Sequence, residues 1–121
     1  MFGFSIAQRI YLYSLPTDMR KSFDGLTGIV TNSIGKSPVF DGVFVFVNKR
    51  RDRMKILLWD RHGYWLFYKR LEKGRFQTPP VERDAPGEGL TLSYEQLMMI
   101  IEGIDLSSVK RIKRYTMYNS S

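Results

Sequence analysis

The residues of this chain that could perform chemistry are few and scattered. His62 is the one histidine, and it falls in Asp60-Arg61-His62-Gly63, a stretch that reads as a turn and offers no second imidazole as a metal partner. Asp18, Asp24, Asp41, Asp52 and Asp60 are spread over cap and turn positions, where an aspartate bonds to nearby backbone. Phosphoryl transfer on nucleic acid needs carboxylates converging on a metal, or paired His ligands with a Tyr nucleophile, and neither spacing is present. The absence of Cys removes a thiolate nucleophile, a thiolate metal site and a disulfide framework together. No phosphate-cradling glycine fingerprint, Gly-x-Ser-x-Gly elbow or EF-hand spacing occurs. The sequence therefore assigns no catalytic residue, no metal and no cofactor.

What remains is chemistry that grips a polyanion. The net charge is +7, and residues 49–75 carry ten basic side chains against three acidic ones, so the whole excess lies on one segment. Such a segment sets up a local field that steers a polyanion. Aromatic residues interleave with the cations there, among them Trp59, Tyr64, Trp65, Phe67, Tyr68 and Phe76. Basic heads neutralise phosphates while aromatic faces stack on bases. The plainer alternatives are a solvated face for the cations and a core role for the aromatics. The candidate nucleic-acid-binding set is Lys49, Arg50, Arg51, Arg53, Lys55, Lys69, Arg70, Lys73 and Arg75. Arg50, Arg51, Arg53 and Lys55 head it because they bracket a turn whose side chains should be exposed.

The elements that must position these residues follow from periodicity. Residues 9–13 are β-branched and aromatic and read as a first strand. Thr17 and Asp18 are helix-start types, and Met19, Phe23, Leu26, Val30 and Ile34 recur at three or four residue intervals until Gly35, which predicts one long helix. Gly25 and Gly28 inside it suit close packing against a sheet. Residues 43–47, 54–59 and 64–70 then read as a meander of antiparallel neighbours, with Gly63 supplying a positive φ and 74–78 adding a short further member. Residues 79–89 are rich in Pro, Gly and charge and read as a mobile loop. Ser93 with Gln96 forms a capping box ahead of the stripe Leu97, Ile100, Ile101 and Ile104, a shorter second helix.

These signals predict an α+β domain: a mainly antiparallel meander sheet, one long helix after the first strand and a shorter helix near the C-terminus. The chain of 121 residues reads as a single domain, 1–121, with a core over about 9–106 and a basic tail over 107–121. A hydrophobic fraction of 43% suffices for a core without staples. The opening residues lack the basic flank and apolar length of a signal peptide, and no apolar run reaches the roughly 20 residues of a membrane span. A cytoplasmic location is the expectation.

Three blocks resemble a known family. Pro16-Thr17-Asp18-Met19-Arg20-Lys21-Ser22-Phe23-Asp24-Gly25-Leu26 is the first, and Phe46-Val47-Asn48-Lys49-Arg50-Arg51-Asp52-Arg53-Met54-Lys55-Ile56-Leu57 the second. Trp59-Asp60 with residues 63–76 is the third, followed by Leu97 and Glu102-Gly103-Ile104-Asp105. Together they resemble the accessory protein encoded upstream of the transposase in insertion sequence 66 type elements, often labelled TnpB and distinct from the RNA-guided nuclease sharing that label. The resemblance spans roughly residues 9–106, with His62 and the tail from Ser107 to Ser121 outside its pattern. It implies a bacterial mobile-element protein needed alongside a separate transposase.

The leading expectation is an accessory factor without catalysis that binds DNA through residues 49–75. The competing one is a module that docks the element's transposase, with Arg20, Lys21, Trp59, Tyr64 and Trp65 as contacts. Cations at Arg20 and Lys21, placed in a first helical turn, oppose the helix dipole, which favours a partner for them. An enzyme ranks third.

Overall fold

The computed structural model describes residues 8–79 and 89–103. Strand β2, Val43–Val47, is Val-Phe-Val-Phe-Val with all five residues buried, so both faces of the sheet must be covered. Its neighbours are β1, Ile10–Tyr13, and β3, Arg53–Asp60, while β4, Gly63–Arg70, and β5, Gly89–Leu92, form the two edges. The order across the sheet is β4-β3-β2-β1-β5.

Helix α1, Phe23–Ile29, continues as a π-helical turn, Val30–Ile34, and Leu26 and Val30 cover the face bearing Tyr11, Phe44, Phe46 and Leu57. Helix α2, Tyr94–Ile101, brings Leu97 and Ile100 onto the other face, against Ile10, Val43, Val45 and Ile56. Its predicted capping box is present: Gln96 N–H donates to the Ser93 hydroxyl and Ser93 N–H to the Gln96 side-chain oxygen.

The α+β class holds, but two parts of the expected architecture are corrected. The sheet is mixed: β1 pairs with β2 in parallel, with α1 as the crossover, whereas β2–β3, β3–β4 and β1–β5 are antiparallel. The long helix after the first strand is absent. Thr17 stays extended, its N–H donating to Val47 O, and Asp18 closes a turn by accepting from the Arg20 N–H and guanidinium. The Lys55 ammonium takes the carbonyls of Met19 and Lys21, two groups an earlier helix start would have used. Helical hydrogen bonding begins with Leu26 N–H to Ser22 O. The run ends, as expected, at Gly35 in the left-handed region (φ 74°), with Val30 O accepting from the Gly35 and Lys36 N–H groups.

Smaller expectations also change. Gly28 faces open space, so it answers no packing need. At the β3–β4 turn the positive φ falls on Arg61 (φ 60°), not Gly63. Residues 74–78 form no strand. They turn back and bury Phe76 completely in the α2-side core, with Phe76 N–H donating to Arg51 O. The Pro- and Gly-rich excursion beyond Pro79 and the basic tail lie outside the described residues.

Candidate nucleic-acid interface

The β2–β3 turn is built around one side chain. The Asn48 amide oxygen accepts from Asp52 N–H and Arg53 N–H, its NH₂ donates to the Asp52 carboxylate at 2.7 Å, and its backbone carbonyl accepts from Arg51 N–H. The bond from Asn48 holds the Asp52 carboxyl below its usual range. The chain after β4 braces the turn from outside, through Leu71 N–H to Asp52 O and Phe76 N–H to Arg51 O. On this scaffold Lys49, Arg50 and Arg51 project into solvent, and none of them has an ion-pair partner among the described residues. Arg51 has φ 58°, a conformation that strains a non-glycine residue by about 1 kcal/mol.

The remaining predicted cations divide. Arg53 and Arg70 face each other across β3 and β4, and direct opposition of like charges is unfavourable. The repulsion is relieved by a bidentate pair from Arg70 to Glu72 at 2.9 Å, which raises the Arg70 pKa, and by the Tyr68 hydroxyl 3.4 Å from the Arg53 guanidinium. Lys73 and Arg75 are exposed on the segment that Leu71 and Phe76 pin to the turn, so they join Lys49, Arg50, Arg51, Arg53 and Arg70 at one end of the sheet.

Two cations do not belong to that surface. Lys69 lies on the α2 side, where its ammonium donates to Ile101 O at 2.6 Å and caps the helix. Lys55, which the sequence places exposed beside the turn, is instead 6% exposed, because its position in β3 points it beneath residues 19–21. Its ammonium also sits over the Tyr68 ring, 4.7 Å from the centroid.

The proposed partner contacts are not brought together. Trp59 and Tyr64 form an edge-on pair beside the β3–β4 turn, with Trp65 donating to Asp60 at 3.3 Å. That turn is one β3 length, roughly 25 Å, from the basic end. Arg20 and Lys21 lie near the basic end and precede α1 rather than forming its first turn, with Lys21 next to the N-cap Ser22. The Arg20 guanidinium pairs with Asp18 at 2.6 Å, and this bond, with the one from Arg20 N–H, lowers the Asp18 pKa to about 2. His62 is exposed in its turn.

Sequence reasoning missed Thr17. Between residues 16–19 and the β2–β3 turn lies a cleft of about 370 Å³ whose walls include Thr17, Asp18, Asn48, Lys49, Arg50 and Arg53. Thr17 is 4% exposed and its hydroxyl has no hydrogen-bond partner among the described residues, a deficit of about 1–3 kcal/mol if left unmet. No signal in one sequence distinguishes such a threonine from a helix cap.

Among the described residues, no group of three or more His, Asp or Glu side chains is arranged to hold a metal ion, and no helix is long and apolar enough to cross a membrane. The family model for IS66 Orf2 like protein matches residues 8–111. The chain belongs to that family. Similar proteins include "Uncharacterized protein y4jC" of Sinorhizobium fredii, 36% identical over 118 residues, covering 96% of this chain and 97% of that one. "Uncharacterized protein y4hO" of the same organism is 33% identical over 97 residues, covering 80% and 81%. No solved structure matches. Membership in the IS66 Orf2-like family points to an accessory role in transposition.

Proposed function

We propose that this IS66 Orf2-like protein is a cytoplasmic, non-catalytic accessory factor that binds DNA through the basic end of its sheet. Lys49, Arg50 and Arg51 at the tip make the main phosphate contacts, flanked by Arg53, Arg70, Lys73 and Arg75. The observation that carries this reading is the braced turn. Three adjacent cations stand exposed, with no ion pair among the described residues, on a loop held by Asn48 and by two outside hydrogen bonds, with Arg51 in a conformation glycine would adopt more cheaply. Affinity dominated by phosphate contacts requires such preorganised positive charge.

The test is a fluorescence-anisotropy titration of element-end and random duplexes at several salt concentrations. Alanine at Arg50, Arg51 and Lys49 together should reduce the salt slope of log affinity by about 2–3 units. Wild-type protein that binds neither duplex at low salt sinks the reading.

A second reading, docking of the element's transposase, is favoured by Phe40. Its side chain is 87% exposed in the connection before β2, an unusual position for a Phe. Loss of transposition on Phe40→Ser, with DNA affinity intact, would move the weight to docking.

A further inference from the structure

We propose that the cleft between residues 16–19 and the β2–β3 turn is a subsite for a single phosphate group, bound by the Thr17 hydroxyl together with Lys49, Arg50 and Arg53. This deepens the DNA-binding reading and rests on it for the identity of the phosphate's carrier.

The first support is topological. The cleft lies beyond the carboxyl ends of β1 and β2, the adjacent parallel pair of the sheet. Crevices of this kind are where open sheets with parallel strands take their ligands. The second is charge. Of the cleft's carboxylates Asp18 is paired with Arg20, while Asp52, bonded by Asn48, lies in the field of Arg53 and Arg50. Lys49, Arg50 and Arg53 together still outnumber that one carboxylate, which leaves the cleft net positive.

The third support is independent of charge. Thr17 is fixed by its N–H bond to Val47 O and forms part of the cleft wall, and its hydroxyl, closed off from solvent, has no partner among the described residues, so a phosphate reaches it only when the side chain rotates toward the cleft. A hydroxyl donates readily to an anionic oxygen, and a phosphate seated among Lys49, Arg50 and Arg53 supplies one. A general solvated face would carry the cations but would not require an unpaired threonine at their base.

The phosphate could come from a strand end, as a monoester, or from within a strand, as a diester, and one experiment separates them. Short single-stranded oligothymidylates bearing a 5′-phosphate or a 5′-hydroxyl are titrated against wild type and Thr17→Val by anisotropy. The substitution preserves shape and removes only the hydroxyl, so melting temperature should hold or rise. We expect a loss of about tenfold in affinity, the effect of one hydrogen bond to a charged group. A loss confined to the 5′-phosphorylated oligonucleotide assigns a strand end; an equal loss for both assigns an internal phosphate. Equal binding of both by Thr17→Val and wild type overturns the proposal. If wild type binds no oligonucleotide or duplex, the DNA reading fails by itself. The subsite is then judged by titrating inorganic phosphate and following the Thr17, Lys49 and Arg50 amide resonances, where no shift overturns it. Lys49→Gln with Arg50→Gln, both exposed, should abolish the same response if Thr17→Val proves unstable.

Discussion

The Lys55 ammonium lies 2.8 Å from the carbonyl oxygen of Met19 and 2.7 Å from that of Lys21, joining the third strand to the connection that follows the first. A cation in the most basic stretch of the chain thus works as an internal clamp. It fixes the wall that carries Thr17 and Asp18 and delays the start of α1.

Lys55→Met keeps the buried stem but releases both carbonyls. Hydrogen bonds to a charged group contribute about 1.5–3 kcal/mol, so urea unfolding should show a loss in that range. Hydrogen exchange should accelerate around residues 19–23 more than in β2. Unchanged protection there would contradict the clamp.

Two glycine substitutions should move stability in opposite directions. Gly42 has φ 143°, and a Cβ there would run into the Arg9 carbonyl oxygen, so Gly42→Ala should destabilise by about 1–3 kcal/mol. Gly28→Ala adds a methyl to open space inside a helix and should stabilise by about 0.5–1 kcal/mol. Thermal melts of the two variants, compared with wild type, decide both.

Arg51→Gly relieves the left-handed backbone while deleting a cation. Stability should stay level or rise by up to about 1 kcal/mol, whereas duplex affinity should fall and its salt slope lessen by about 1 unit. A variant that is both more stable and equally tight would remove Arg51 from the interface.

Asp18 should titrate at about 2, because Arg20 stabilises its ionised form. Its folded value lies below the ordinary 3.8, so whatever this pair adds to the turn is fully present above about pH 4 and is lost as pH falls through about 2. Carboxyl carbon resonances followed between pH 5 and 1.5, about the range that spans both values, provide the measurement. In Arg20→Gln the midpoint should move up toward 3.8.

Much of the fold was legible wherever one residue type decides a local geometry. The β2–β4 meander, the Gly35 stop and the Ser93–Gln96 capping box all appear where expected. The failures involve partners distant in sequence. Residues 17–22 carry helix-start chemistry, but Val47 and Lys55 compete for their backbone groups from about 30 residues away. β5 is short and became a strand only because β1 offered it an edge. At the candidate interface, the cluster of exposed cations at 49–51 could be read directly, whereas periodicity gave no indication that Lys55 turns inward and Lys69 caps α2. Thr17 reads as a cap in the sequence because its burial depends on the β2–β3 turn folding over it.

The strand order has a consequence for synthesis. β2, β3 and β4 are contiguous hairpins that can pair soon after they leave the ribosome, but β1, made first, needs residues 43–47 on one side and 89–92 on the other. Until Leu92 has emerged, one edge of Ile10–Tyr13 remains open, with the apolar Ile10 and Leu12 still lacking the α2 layer that covers them. The nascent chain therefore passes through its most association-prone stage late in translation, just before β5 and α2 close that edge and cover that face together.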